Sequence, residues 1–539
     1  MLRLPVDVRR FPWVRRLAAD YAYDFGAVAP FFSGDPADRA AWAAAIDRTQ
    51  RHERRRPEIA GVLAAQQARR AAPPPAVAAA AALARRDTVA VVTGQQAGLF
   101  GGPLFTLLKA LTAIKLAERV SRDHGVPSVA IFWVDAEDHD WDEVRACSVF
   151  DGDLAVRTVA LPARPGEPGP IARVRLDESA AAAIAELESI LPATEFRSDL
   201  IEQLRGAYAP GAGMADAFGR WLERVLGARG LVVFDSSDPA SKPLLGDVFA
   251  RELSAPGQTS RLAARAGADL VARGYHSQVH GQDEQPALFH LESGRRAIRR
   301  HDGELVAGET RFRPEALARA AREAPALFSP NVLLRPIAQD TLFPTVAYVA
   351  GPSELAYLGQ LRGVYAHFGV PMPLMYPRAS ATLLDSGALR FLARYELPLE
   401  ALQARDEAAL NTLLQAQIPP AVEESFDRAG RALEAELSAV ARAAALVDPT
   451  LDGAAQSTLG RMRDELHRLH GKMIHAAKRR DETLRRQFNR TRAQAFPDGH
   501  AQERTIGFLS FLNQYGPALL SRLDDELPLG LGTHWVISV

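Results

Sequence analysis

The sequence predicts an α/β chain, with a parallel-sheet core interrupted by insertions and followed by a separate helical domain. Three observations carry this. A β-branched run, Thr88-Val89-Ala90-Val91-Val92, leads into a glycine-rich connection, a long apolar helix and a second apolar run at 129–134. That order is a βαβ unit, whose strands are parallel and whose crossover is right-handed. Further short apolar runs at 230–235 and 346–349 each end in turn residues, Ser236-Ser237-Asp238-Pro239 and Gly351-Pro352. From about 385 to 500 the pattern is helical, with a seam at coiled-coil spacing.

Taken in order, residues 1–86 read mostly as helix. Alanine is dense there, and it costs least side-chain entropy in a helix. Pro103 suits a first helical position, and the helix from 103 to about 124 is apolar on most sides, hence buried. Two segments of mixed polarity, about 151–210 and 255–330, read as insertions in a core spanning 1–384. In the helical domain, 385–500, a helix over 422–447 and a second carrying Leu459, Met462, Leu466, Leu469, Met473 and Ala476 flank Asp448-Pro449-Thr450-Leu451-Asp452-Gly453. This predicts an antiparallel hairpin. Residues 501–539 return to the core.

The 539 residues fit two or three domains. Lys and Arg total 64 against 65 Asp and Glu, a formal net charge of -1. No basic excess points to nucleic acid. No apolar run approaches the roughly 20 residues of a membrane span, and the first 16 residues lack a signal-peptide pattern. A cytoplasmic location is the expectation. One cysteine, Cys147, rules out an internal disulfide framework and reads as a small core residue.

Three stretches could carry chemistry. The first, Thr93-Gly94-Gln95-Gln96-Ala97-Gly98-Leu99-Phe100-Gly101-Gly102-Pro103, lies where a strand gives way to a helix, the ligand-binding edge of an open parallel sheet. Glycines admit close backbone approach, and helix-start amides attract anions. The stretch matches neither the Walker loop nor the dinucleotide fingerprint, and a plain glycine-rich connection is the alternative. Lys109, leaning back along its helix toward this loop, meets an anion there or snorkels outward.

The second, Asp135-Ala136-Glu137-Asp138-His139-Asp140-Trp141-Asp142-Glu143, puts six acids and a histidine in nine residues. Such groups hold an ammonium, ligate a divalent metal or accept a proton, or merely form a solvated loop. His139 is the expected base near neutral pH. The third runs from Ser329 to Ser380. Arg335 and Arg378 suit a carboxylate or phosphate, or structural ion pairs, and Glu354 suits an amine.

Together these stretches resemble the bacillithiol biosynthesis cysteine-adding enzyme family. The match rests on Thr93 to Leu99, Gly102-Pro103, Lys109, Phe132-Trp133, Glu137-Asp138-His139-Asp140, Glu143, Ser329-Pro330-Asn331-Val332, Arg335-Pro336, Gln339-Asp340, Pro344, Gly351-Pro352, Glu354, Tyr357, Pro377-Arg378, Gln502-Glu503-Arg504 and Tyr515-Gly516-Pro517. It covers nearly the whole chain. Ser353, where a glycine is expected, and the Ala- and Arg-rich composition are departures. The resemblance implies a Rossmann-like core with two connecting insertions and a coiled-coil domain that makes a homodimer. It implies a ligase joining the cysteine carboxylate to the amine of glucosaminyl malate.

Activation of that carboxylate calls for ATP, with magnesium. Gly94, Gln95, Gln96 and Gly98 are then expected at the nucleotide or another anion, with Lys109 and Arg378 stabilising charge. Glu137, Asp138, His139 and Asp140 are expected to hold the amine or the metal, with Arg335 or Arg378 on the malate carboxylates. Glu354 and Tyr357 are further binding candidates, and Arg490 is expected at a second nucleotide site. Two rival readings are a metal-dependent small-molecule hydrolase, which predicts a tightly bound transition metal, and a non-catalytic nucleotide-binding scaffold. The scaffold predicts that substitutions at Gln95 or Asp138 are harmless.

Overall fold

The computed structural model describes residues 3–163, 169–279, 285–292, 294–404, 406–417, 420–480 and 482–539. Residues 164–168, 280–284 and 293, within the two expected insertions, lie outside the described residues. The chain divides into two compact units, one comprising Met1–Leu383 with Ala501–Ile537 and the other Leu384–His500.

The first unit is built on a parallel sheet. Its strands are β1 (Val89–Gln95), β2 (Ser128–Val134), β3 (Val232–Asp235), β4 (Thr345–Ala350) and β5 (Leu374–Pro377), in the order β5-β4-β1-β2-β3. All four pairings are parallel. Strands buried on both faces read as continuous apolar runs. β4 is buried throughout and β1 nearly so, which is why both were visible in the sequence. The crossover from β1 to β2 is helix α1 (Leu104–His124). Pro103 stands at its N-cap, one position before the expected first turn. Gly125, at φ 67°, ends the helix in the left-handed conformation that glycine adopts without strain. The chain runs outward through β1, β2 and β3, then returns to lay β4 beside β1. The strand order therefore reverses between β1 and β4, and ligands of such sheets bind outside that point.

The segment between β2 and β3 holds an antiparallel pair, Ala146–Phe150 with Val156–Ala160, and helices including Glu178–Ile190, Arg197–Ala207 and Met214–Leu226. The segment between β3 and β4 holds helices and, among the described residues, a five-stranded antiparallel sheet over 288–330. The N-terminus departs from the helical expectation at its start. Arg3–Asp7 is a strand, paired antiparallel with Thr533–Ser538. Its partner lies more than 500 residues away, and local periodicity carries no trace of such a pairing.

Residues 501–508 fix the glycine-rich loop. Leu104 N donates to Ile506 O at 2.8 Å, and Gly507 N donates to Ser148 O at 2.7 Å. The fit leaves no room for a side chain. A Cβ on Gly507 would lie 2.6 Å from Cys147 Sγ, and one on Gly101 would lie 2.4 Å from the Phe508 ring. Cys147 is buried and burial pushes its thiol up to about 12, so it is a packing residue and not a nucleophile.

In the second unit, α2 (Pro420–Ala445) and α3 (Leu451–Arg480) form the antiparallel hairpin. Arg463 pairs with Glu434 at 2.8 Å and His470 with Glu423 at 2.9 Å, a register that runs in opposite directions along the two helices. The tip is set by Asp448, whose Oδ1 accepts from Thr450 N at 2.8 Å. The expected seam divides. Leu459 is buried and Leu466 half-buried, whereas Met462, Leu469 and Met473 are exposed along α3. No helix among the described residues is long and apolar enough to cross a membrane.

Gly507→Ala should lower the urea midpoint by the equivalent of about 1–3 kcal/mol, the usual cost of overpacking. Adding Cys147→Ala should restore part of that loss, because the sulfur is the atom the new methyl meets.

Candidate active site

At the reversal point lies a cleft of about 770 Å³. Three sets of residues line it. The end of β1 and the loop after it contribute Gly94, Gln95, Gln96 and Gly98. The end of β2 contributes Trp133, Asp135 and Asp138. The segment around β4 contributes Arg335, Tyr348, Glu354 and Tyr357. Lys109 and Arg378 also reach it, as does Ser353. Ten of the residues singled out in the sequence thus share one cavity, although they span almost 300 positions of chain.

Their partners differ from the expected ones. Lys109 is buried, and Nζ donates to Gly94 O at 2.8 Å and to Gln95 Oε1 at 3.1 Å, with Glu354 Oε2 at 2.5 Å. Burial pushes its pKa down while Glu354 pulls it back up. An ammonium has three donors, and all three are taken, so Lys109 braces the loop against Glu354. Glu354 also accepts from Gly351 N at 2.7 Å and Tyr348 Oη at 2.9 Å. Burial would raise its carboxyl, but Lys109 overrides this and holds it below the usual range.

Arg378 is likewise committed. It forms two parallel hydrogen bonds with Glu503, Nη1 to Oε2 at 2.9 Å and Nη2 to Oε1 at 2.6 Å. Both residues are buried. Burial alone would raise Glu503, yet the guanidinium brings it down to about 2.

Arg335 is different. Nη1 donates to Gln339 Oε1 at 3.1 Å and Nη2 to Tyr357 Oη at 3.2 Å, both neutral acceptors. Among the described residues it makes no ion pair, although it is 8% exposed. Gln339 in turn donates to Asp340 Oδ1 at 2.8 Å, so a buried carboxylate orients the amide that orients the guanidinium.

The acidic stretch splays. Gln96 Nε2 donates to Asp138 Oδ2 at 2.6 Å and to Glu143 Oε2 at 2.9 Å, tying the two loops together. Glu137 turns away from the cleft into a buried pair with Lys242 at 2.5 Å. Asp140 caps the short helix Trp141–Val144 by accepting from Glu143 N at 3.1 Å. The His139 side chain is 46% exposed and stands outside the cleft lining, with Nδ1 3.2 Å from Asp138 Oδ1 and 2.9 Å from Arg295 Nη1. Arg490 belongs to the second unit, where Nη2 donates to Asp385 Oδ2 at 2.9 Å. Among the described residues, no three His, Cys, Asp or Glu converge to hold a metal ion.

The cleft also contains residues not singled out as site residues. Asp135 is the first residue after β2, a position the strand-end rule could have picked out. Thr106, Trp133 and Arg295 also line it, and among the described residues the buried Thr106 Oγ1, Trp133 Nε1 and Arg295 Nε have no hydrogen-bond partners. Arg295 came from the second insertion, where no pattern marked it.

The model for the N-terminal Rossmann-like domain of the bacillithiol biosynthesis protein BshC matches residues 5–379, and the model for its C-terminal coiled-coil domain matches 381–539. The chain belongs to the BshC family. A Salinibacter ruber relative bearing the name "Putative cysteine ligase BshC" is 35% identical over 99% of this chain and 98% of its own. Relatives of the same name from Koribacter versatilis, 33% identical over 82% of both chains, and Symbiobacterium thermophilum, 34% identical over 83% of both, are also similar. The Rossmann-like core and the coiled-coil domain of the BshC family are thus the two parts of this fold.

Glu503 carries a pH dependence. Its folded pKa of about 2 lies below the ordinary 4.5. The stabilisation is therefore present above pH 4.5 and lost as pH falls toward 2, and is worth about 3 kcal/mol at about 1.4 kcal/mol per unit. Urea midpoints measured from pH 7 to pH 2.5 should show this loss. Glu503→Gln should be destabilised at pH 7 and lack that part of the acid dependence.

Proposed function

We propose that this protein is a cytoplasmic cysteine ligase of bacillithiol biosynthesis, forming an amide between the cysteine carboxylate and the amine of glucosaminyl malate. The observation that carries the reading is the charge content of the cleft. Arg335 offers a guanidinium that makes no ion pair among the described residues, while Asp135 and Asp138 offer carboxylates, all in one cavity. The acceptor brings an amine and two carboxylates, so it matches both signs. The names of the relatives point the same way.

In this reading Arg335 holds a malate carboxylate by charge-assisted hydrogen bonds. Arg378 does not share that role, since Glu503 occupies it. Asp138, held by Gln96, faces the amine side. Tyr357, with its hydroxyl on Arg335, positions the guanidinium. Thr106 Oγ1 and the backbone of 94–102 are the groups that fit an anion, and ATP with magnesium bound there would activate the cysteine carboxylate. Lys109 keeps that loop in place from beneath.

The second unit serves as the dimer interface in this reading. Met462, Leu469 and Met473 recur at spacings of seven and four on α3, leaving an apolar stripe uncovered. A second copy of the same hairpin would cover it.

Four experiments test these assignments. Purified protein incubated with cysteine, glucosaminyl malate and ATP should yield the cysteinyl product by mass spectrometry, and cells lacking the gene should accumulate glucosaminyl malate. Arg335→Ala should lower kcat/KM for glucosaminyl malate by about 10–100-fold, the value of a hydrogen bond to a charged group. Product formation without the protein's participation, or an unchanged thiol pool in cells with no redundant enzyme, overturns the reading. Replacing Leu469 and Met473 together with lysine should shift the mass in light scattering from dimer to monomer.

A further inference from the structure

The expected base, His139, does not line the cleft, which leaves the proton of the attacking amine without an acceptor. Its fate can be decided by elimination among the nearby acids. Glu137 is spent on Lys242, and Glu354 on Lys109, Gly351 and Tyr348. Asp138 accepts from Gln96 and from His139 N, and Glu143 accepts from Gln96. Asp135 alone of these lines the cleft while its carboxylate accepts no hydrogen bond from the described residues.

Its position is fixed by the backbone. Asp135 N donates to Gln95 O at 2.9 Å, extending the β1–β2 pairing by one residue past the strand end. Trp133, two residues earlier, projects from the same face of the strand. It is 2% exposed, lines the cleft, and its indole Nε1 has no hydrogen-bond partner among the described residues. Among the described residues, an acceptor and a donor without hydrogen-bond partners therefore belong to the lining of one cavity.

We propose that Asp135 is the catalytic base that takes the proton from the substrate ammonium, with Trp133 Nε1 donating to the same ligand; this rests on the ligase reading above. In the step, one N–H bond of R–NH3+ breaks and its electron pair stays on nitrogen. One O–H bond forms on the Asp135 carboxylate, giving R–NH2 and a neutral carboxylic acid. No other bond changes and no electrons are exchanged with a third group.

The surroundings suit a base. Burial pushes the Asp135 carboxyl up to about 6, and Asp138 and Glu137 add to the rise, while Arg335 and Arg295 oppose it. Tyr357 also faces it. The group is thus ionised at neutral pH, yet binds a proton more readily than an ordinary aspartate, as a base working near pH 7 requires.

The test compares wild type with Asp135→Asn and Asp135→Glu. Wild-type kcat/KM for glucosaminyl malate should fall below about pH 6 with unit slope. Asp135→Asn should lower kcat by about 10²–10⁴-fold, abolish that acid limb and leave the KM for cysteine nearly unchanged. Asp135→Glu should recover part of the rate together with the limb. A second measurement needs no variant. Calorimetry of glucosaminyl malate binding to wild type at pH 6, in two buffers of different ionisation enthalpy, should show release of about half a proton as the ammonium displaces it from the half-titrated carboxyl. Wild-type activity with an unchanged limb in Asp135→Asn, or binding with no proton release, overturns the assignment of Asp135 alone. A wild-type protein that neither binds glucosaminyl malate nor makes the product overturns the ligase reading, and this proposal with it.

Discussion

A carboxylate stripped of water stays ionised only beside a cation with matching geometry, and Glu503 finds that cation in Arg378. The pair is buried on both sides, and its two parallel hydrogen bonds set the orientation of both chains that carry it. One chain follows β5, and the other is the segment that returns to the first unit near the C-terminus. Ser380 Oγ and Ala381 N also donate to Glu503, which ties the start of the strand Ser380–Leu384 to the same carboxylate. Once that segment is anchored, Ile506 and Gly507 close on the glycine-rich loop. The cleft floor is therefore held from two directions. Lys109 supports it from α1, and residues 501–508 support it from the distant end of the chain.

This arrangement explains why so many charged residues of the site face one another and not the cavity. A cleft lined by free lysine, arginine and glutamate would suffer large desolvation costs with nothing bound. Pairing Lys109 with Glu354 and Arg378 with Glu503 removes most of that cost and builds rigid walls. Arg335 and Asp135, which make no ion pair among the described residues, are charges through which a ligand can exchange its own hydration for fixed partners. Preorganised groups of this kind bind without further reorganisation.

Much of the fold was legible because its signals are local. β1, β2 and β4 are apolar runs buried on both faces, and α1 is a continuous apolar helix between strands. The hairpin showed in the spacing of α3 and in the Asp448 turn. The strand Arg3–Asp7 was invisible because its partner is at the other end of the chain. The site was legible in part for the same reason. Lys109, Arg335, Glu354 and Arg378 stood out by type and place, but a sequence does not state which charges neutralise each other. Arg378 read as a substrate ligand until Glu503 supplied its partner, and His139 read as a base although its ring sits beside Arg295 and Asp138. Asp135 was passed over within a run of six acids, where composition hides position. What separates it is a single geometric fact, its place as the first residue past β2.

That fact has a physical generality. In a parallel sheet the last backbone pairing fixes the first loop residue almost as firmly as the strand. Asp135, held by Gln95 O, is placed by the sheet itself. Asp138 is held by Gln96 through its side chain, and His139 lies beside Asp138 and Arg295. The residues beyond Asp135 are held by the insertion and not by the sheet, with Ala136 O and Asp138 O accepting from Ala172 N and Ile171 N at 2.8 Å. A group that must meet a substrate atom within hydrogen-bond reach is well placed where the sheet itself fixes it. The loop acids beyond it are better suited to shaping the local field and linking loops, as Asp138 does through Gln96.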